Sequence, residues 1–267
     1  MRALLRVGLG LLLLAFVLIG LAFGALRTHG GPARLEGRMM DEQTRTVGHD
    51  VRAVELSGPI DLTLRYGAQP QLVVRGEERL LANIETVQDG RVLHIGTRGI
   101  VLRHRGPLAV ELTLPALDRV AVDGSSDTVV NGFSGERIEV ELNGSGSIVF
   151  NGRYRQAHAA VQGSGDLTLD AGNGDEIEAR LSGSGSLTLA GAARSVSVES
   201  DGSGTLDAQR LRAERVKVRQ TGSGNTSVTA RETLAASVSG SGDVEVYGEP
   251  SQRSVSRTGS GDVRFEQ

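Results

Sequence analysis

Asp166, Asp243 and Asp262 each follow directly on a Gly-Ser-Gly tripeptide. A carboxylate at a fixed place after a glycine turn is what a calcium-winding repeat would supply. Such repeats run at about nine residues with the pattern Gly-Gly-x-Gly-x-Asp. In the other copies here the same place holds Ser147, Ser186, Thr205 and Asn225. A ladder so poor in carboxylates is a poor calcium site, so turn chemistry explains the aspartates and no metal is expected. The Gly-Ser-Gly loops could also be read as phosphate cradles. A phosphate loop opens a helix and usually brings a lysine. Strand-like sequence follows these loops, and the single lysine, Lys217, lies elsewhere.

Glu139, Glu141, Glu178 and Glu199 raise sugar-cleaving chemistry. Polysaccharide lyases and hydrolases need paired carboxylates facing one another across a groove. These glutamates instead sit at alternate positions near Arg180, Lys217 and Arg219, the pattern of a solvated mixed-charge face. A carbohydrate-active β-helix enzyme is therefore the alternative, and a protein without catalytic residues is the expectation. His29, His49, His94, His104 and His158 are scattered without metal-ligand spacing. No Gly-x-Ser-x-Gly elbow with a following His and Asp stands out. The absence of cysteine excludes disulfides, zinc thiolates, a cysteine nucleophile and a lipid-modified N-terminal cysteine. No cofactor is expected.

The elements that carry these residues come from a repeat. Gly-Ser-Gly recurs as Gly144/Gly146, Gly163/Gly165, Gly183/Gly185, Gly202/Gly204, Gly222/Gly224, Gly240/Gly242 and Gly259/Gly261, and successive copies start 18 to 20 residues apart. A degenerate copy, Gly124-Ser125-Ser126-Asp127, precedes them. Alternate residues before each turn are mostly apolar, as in Ile138, Val140 and Leu142 or Ile177, Ala179 and Leu181. Alternation resumes afterwards, as in Ile148 and Phe150 or Leu187 and Leu189. Period two means strands with one buried face. Each unit is thus strand, Gly-Ser-Gly turn, strand, second turn. Near-identical units stack like over like and bury a core that no single repeat could bury. The expected fold is an all-β parallel solenoid with about 19–20 residues per coil, its corners turned by both glycines of each tripeptide at φ > 0. The serine between them is expected to hydrogen-bond local backbone. Thirty-seven glycines against six prolines suit many tight turns.

Strands return earlier in the chain at Val51–Leu56, Ile60–Arg65, Leu72–Arg75, Val92–Ile95 and Leu108–Leu114, bounded by turn signals such as Ser57-Gly58-Pro59 and Gly106-Pro107. Glu77–Val87 reads as a short helix or an irregular crossing. Residues 47–115 are expected to be atypical coils capping the repeat coils of 116–267, and residues 28–46 a polar linker. Before the linker, Val7 to Leu26 is apolar or glycine without a break, between Arg6 and Arg27. About 20 such residues can span a bilayer core as a helix. An uncleaved anchor over residues 1–27, with the body outside the cytoplasm, is the expectation. A signal peptide cut after Ala22-Phe23-Gly24 is the alternative, and would make the protein periplasmic or secreted.

The strands around Val51–Arg65, then LLANIETVQDGRVLHI, then LAVELTLPALDRVAVDGSSD, then the Gly-Ser-Gly-Asp array resemble the bacterial DUF2807 family. That family is also called the putative auto-transporter adhesin, head GIN domain family. The resemblance spans residues about 47–266. It implies a right-handed parallel β-helix-like fold in an envelope or surface protein, and it implies no catalytic residues. The partner expected on this basis is an envelope or surface protein or polysaccharide. The net charge of −3 and aromatics at only 3% argue against nucleic acid.

The last copy departs from the others. Around Val255 it places Arg253 and Arg257 where earlier copies place apolar residues. The sequence ends at Gln267, soon after the strand Val263–Phe265. Charges directed inward on a terminal strand blunt an edge against self-association, and that is the role expected of these two arginines.

Overall fold

The computed structural model describes residues 40–99 and 108–266. The apolar segment before Arg27 and most of the expected linker lie outside the described residues. Met40–Gln267 forms one compact unit, a β-solenoid of about seven turns whose 17 strands belong to one continuous sheet.

Its regular part is built from β8 (Arg119–Gly124), β9 (Asp127–Gly144), β10 (Ser147–Gly163), β11 (Asp166–Gly183), β12 (Ser186–Gly202), β13 (Thr205–Gly222) and β14 (Asn225–Gly240). Each pairs in parallel with the next, and the first glycines of the corners stack in register from Gly124 through Gly144, Gly163, Gly183, Gly202 and Gly222 to Gly240. Alternation in sequence becomes alternation in space. Ile138, Val140, Leu142, Ile148 and Phe150 are buried, as are Ile177, Ala179, Leu181, Leu187 and Leu189 in the same columns two coils on. The register shifts fall on the side opposite Gly-Ser-Gly, for example between Asn151 and Gln156 and between Asp170 and Asn173. The variation in coil length is absorbed there, because the glycine corner admits none.

That corner corrects the sequence expectation at half of its glycines. The first glycine of each tripeptide takes positive φ: Gly144, Gly163, Gly183, Gly202, Gly222, Gly240 and Gly259, with Gly183 at 123°. The second does not. Gly146, Gly165, Gly185, Gly204, Gly224, Gly242 and Gly261 keep φ values open to any residue, so they are not glycine for the sake of the turn. Their constraint is space. A Cβ added to any of them would overlap a carbonyl oxygen of the adjacent coil: that of Ser126 for Gly146, Gly185 for Gly204, Gly224 for Gly242 and Gly242 for Gly261. Parallel coils in exact register bring backbone over backbone there, and no side chain fits between. Hydrogen bonds of the backbone close the corner. The Gly163 carbonyl accepts from both Ser184 N (2.9 Å) and Gly185 N (3.1 Å), and the same fork recurs in every repeat. The middle serines, Ser184 among them, are exposed, and their hydroxyls have no hydrogen-bond partner among the described residues.

The interior is less uniformly apolar than the pattern implied. Ser200 and Gln220 occupy inward positions between Leu181 and Val238. Gln220 donates to Gly224 O (2.8 Å) and accepts from the Thr226 hydroxyl. The two are stacked on each other, with Leu181 on one side and Val238 on the other.

The N-terminal half is threaded out of order. β2 (Ala53–Ser57) lies between β8 and β6 (Val92–Thr97), and β3 (Asp61–Tyr66) between β9 and β7 (Ala109–Leu114), all in parallel. The first coil of the chain therefore sits inside the stack. β5 (Ile84–Asp89) adds antiparallel to β6, and β4 (Gln71–Glu77) to β7. One helical turn, α1 (Glu78–Leu81), links them and buries Leu80 and Leu81. So Glu77–Val87 is a strand end, a helical turn and the start of a further strand. The linker expectation needs correction as well: Met40–Arg45 is a strand, β1, antiparallel to β4. Its sequence, Met-Asp-Glu-Gln-Thr-Arg, shows no apolar period because it is an exposed edge held by backbone pairing.

The far end carries β15 (Val244–Tyr247), β16 (Gln252–Gly259) and β17 (Val263–Glu266). β16 pairs with β14, and β17 with β15. Every residue of β16 is exposed.

Candidate interaction face

Each coil approaches the Gly-Ser-Gly corner along one face and leaves it along another. On the approach face, three outward columns carry charged residues; the outer one runs Arg137, Gln156, Glu176, Ser195, Arg215, Thr233, and two central ones lie beside it. Of the central two, one runs Arg119, Glu139, His158, Glu178, Ser197, Lys217, Ala235; the next runs Ala121, Glu141, Ala160, Arg180, Glu199, Arg219, Ser237. Residues about 20 apart in sequence thus stand one strand spacing apart, roughly 4.8 Å.

Three of the four glutamates singled out in the sequence meet an arginine here, and the fourth, Glu178, meets an imidazole. Arg119 holds Glu141 at 2.7 Å, Glu55 at 3.1 Å and Glu139 at 3.6 Å. Hydrogen bonding to Glu141 pushes the Arg119 guanidinium further up, with burial opposing. His158 lies 3.4 Å from Glu178, and Arg180 lies 3.0 Å from Glu199. A glycosidase sets its two carboxylates against each other across a sugar-sized gap. These carboxylates lie in register on one side of an open face, each turned to an arginine or, for Glu178, to an imidazole. The hollow beside them, about 330 Å³ and lined by Arg137, Glu139, Gln156, His158, Glu176 and Glu178, is shallow and open to solvent.

Along the departure face the residues after each turn form a ladder of short polar chains. Ser147 donates to Asp127 (2.6 Å), and Asp243 accepts from the backbone N–H of Asp262 (3.0 Å). Asp243 also meets Arg264 at 3.1 Å, and Asp262 pairs with Arg257. Asp166 is exposed and lies three coils or more from both. Among the described residues no group of three or more His, Cys, Asp or Glu is placed to hold a metal ion. His94 lies 3.0 Å from Glu55 and His158 beside Glu178, on separate coils. His49 is apart from both, and His29 and His104 lie outside the described residues.

Three positions that sequence reasoning passed over organise the faces. Arg119 is the hub described above; its place one coil before Glu139 was the available signal. Asp175 accepts from Arg155 (2.7 Å) and lies 3.4 Å from Arg194, so one carboxylate ties three successive coils. Hydrogen bonding to Arg155 holds it below the usual carboxylate range. Tyr154 is buried, donates to Leu117 O (2.7 Å), and its hydroxyl is pushed up by burial.

Arg253 and Arg257 occupy the columns of Leu234 and Val238. At this end of the described stack their side chains fold across: Arg253 lies 4.4 Å over the Phe265 ring and donates to Pro250 O (3.0 Å), while Arg257 pairs with Asp262.

The sequence profile of the DUF2807 family, described as putative auto-transporter adhesin, head GIN domain, matches residues 50–250. The chain belongs to this family. Three solved structures share the fold. A putative adhesin from Parabacteroides merdae is 20% identical with a TM-score of 0.80, over 85% of this chain and 96% of its own. A putative adhesin from Parabacteroides distasonis is 23% identical with a TM-score of 0.79, over 85% and 97%. A Parabacteroides distasonis protein named as a putative lipid binding protein is 21% identical with a TM-score of 0.77, over 85% and 97%. No curated protein matches the chain. The out-of-order N-terminal threading falls within the matched residues, so the head GIN domain takes in both the threaded half and the repeat coils.

Proposed function

We propose that this chain is a non-catalytic scaffold of the bacterial cell envelope or surface, which offers the broad faces of its solenoid to a protein or polysaccharide partner. The observation that carries the proposal is the approach face. Glu139, Glu141 and Glu199 are engaged by arginines in a flat, open surface, and membership of a family of putative adhesins fits a binding role. In this reading the coils wind right-handed, as parallel crossovers overwhelmingly do. Val7–Leu26 holds the body to the inner membrane on its outer side.

The test has two arms. Protease added to spheroplasts is expected to digest the body while the cytoplasmic proteins survive. Purified chain is expected to release no new reducing ends and no unsaturated sugars from a panel of bacterial polysaccharides. A protected body would overturn the envelope assignment, and turnover would establish the carbohydrate-active alternative.

A further inference from the structure

Charge on the approach face is not evenly matched. Before β13, each arginine in the two central columns, Arg119 and Arg180, has a carboxylate partner. On β13 the pattern changes. Arg215, Lys217 and Arg219 follow one another at alternate positions, all exposed. Lys217 and Arg219 have no ion-pair or hydrogen-bond partner among the described residues, and Arg215 has only its neighbour Glu214 at 3.8 Å. Earlier on the same strand Arg210 and Arg212 are also exposed and without such a partner among the described residues. The result is a cationic ridge along one coil, with neighbouring charges on the approach face roughly 6–7 Å apart.

The ridge is flanked by short chains. Across β12 the register partners of Arg215, Lys217 and Arg219 are Ser195, Ser197 and Glu199, the last already paired to Arg180, and across β14 they are Thr233, Ala235 and Ser237. Cations thus run down the middle, with hydroxyls of Ser195, Ser197, Thr233 and Ser237 beside them. Both backbone edges of β13 are already paired, to β12 and β14, so a peptide cannot add there as a strand.

We propose that this ridge binds an extended acidic polysaccharide, its carboxylates on Arg215, Lys217 and Arg219 and its hydroxyls on the flanking Ser and Thr. The proposal rests on the scaffold reading above and names the partner class for it. A single chain lying along the coil meets the cations and, apart from Glu199, whose charge Arg180 already engages, misses the carboxylates of coils further down. A planar anionic membrane would instead press against Glu139, Glu141, Glu178 and Glu199 on the same face. Nucleic acid would want aromatic platforms for its bases, and none stands among these columns.

The experiment uses the full chain in mild non-ionic detergent and polygalacturonate as probe, with dextran, oligo(dT), polyglutamate and phosphatidylserine vesicles as comparisons. Polygalacturonate is expected to bind, more weakly as salt rises, and dextran is not. The variant R215Q/K217Q/R219Q is expected to bind about tenfold more weakly, since steering and contact both follow local charge. R180Q, which removes a cation already paired to Glu199, is expected to stay within about twofold. Should the triple variant fail to fold, K217Q and R219Q singly are expected to lose about threefold each. Absent binding, an undiminished triple variant, or equal binding of oligo(dT), polyglutamate or vesicles would overturn the proposal. Cleavage of the bound polymer would overturn the scaffold reading and leave the ridge in place, so the two failures are distinguishable.

Discussion

Gly183 and Gly185 flank the same serine but are glycine for different reasons. Gly183 sits at φ 123°, where an L side chain is strained, and its Cβ would also meet the Gly163 carbonyl. Gly185 is limited by the Gly165 backbone alone. Both substitutions to valine are expected to cost at least about 1–2 kcal/mol, the first through backbone strain and the second by prising two coils apart. Ser184→Ala is expected to cost less than about 1 kcal/mol, since the exposed hydroxyl supports nothing around it. Urea unfolding followed by circular dichroism gives the order. A serine variant that is the least stable of the three would mean that the corner has a role other than turning the chain. The aspartates after the turns invite a second measurement at this scale. Asp243 and Asp262 are engaged by Arg264, Arg257 and a backbone N–H, so EDTA is expected to leave Tm unchanged. A fall of several degrees would revive calcium.

At the scale of the strand, the repeat coils were legible because their inward columns keep period two and their corners keep one tripeptide. What the tripeptide hid was the division of labour between its glycines, since close approach of two coils leaves no mark in the local sequence that a positive φ would not also leave. The N-terminal half was less legible. β2, β3, β4, β6 and β7 were placed to within a few residues and β5 was missed inside the expected crossing, but nothing in Val51–Leu56 or Val92–Ile95 says that the first lies inside the stack and the second outside it. That order comes from which edges remain free once β8 and β9 are in place. β1 escaped because an exposed antiparallel edge needs no apolar period. Of the faces, the outward glutamates could be read but not their partners, which are fixed by coil length: a shift of one residue would move Arg119 off Glu141. Asp175 shows what such cross-coil contacts do. Its pKa is depressed in the folded state by Arg155 first and by Arg194 as well. A depressed carboxylate stabilises the fold above its unfolded pKa, and that contribution is lost as pH falls through the folded value. The wild type is therefore expected to lose more stability than Asp175→Asn between pH 6 and pH 3. Urea midpoints at the two pH values check this; parallel losses would mean that the three-coil tie does not stabilise the fold.

The whole molecule poses the problem of its ends. The N-terminal end of the stack is covered by the antiparallel strands β4 and β5, and β1 lies outside β4. If Val7–Leu26 is an uncleaved anchor, the protein is expected to stay with membranes through a carbonate wash and to keep Met1 or Arg2. An N-terminus at Ala25 by mass spectrometry would show a cleaved signal instead. At the other end no further strand covers β16 and β17 among the described residues. Phe265, in the inward column of Val246, is 37% exposed, and Val255 is 42% exposed. An apolar end with free strand edges is a template for another copy, because a solenoid coil pairs with any coil of like register. Two arginines stand in the way. Seated in the columns of Leu234 and Val238, they could not enter a facing core without leaving water, a cost of several kcal/mol per ion. Arg253 also covers Phe265, which Arg253→Val would uncover. The double variant Arg253→Val with Arg257→Leu is therefore expected to keep the fold, since every residue of β16 is exposed and the coils beneath are untouched. It is expected to associate end to end at micromolar concentration, where the wild type does not. Sedimentation velocity at several loadings measures this, and a variant no more associated than the wild type would show that the arginines do not protect the edge.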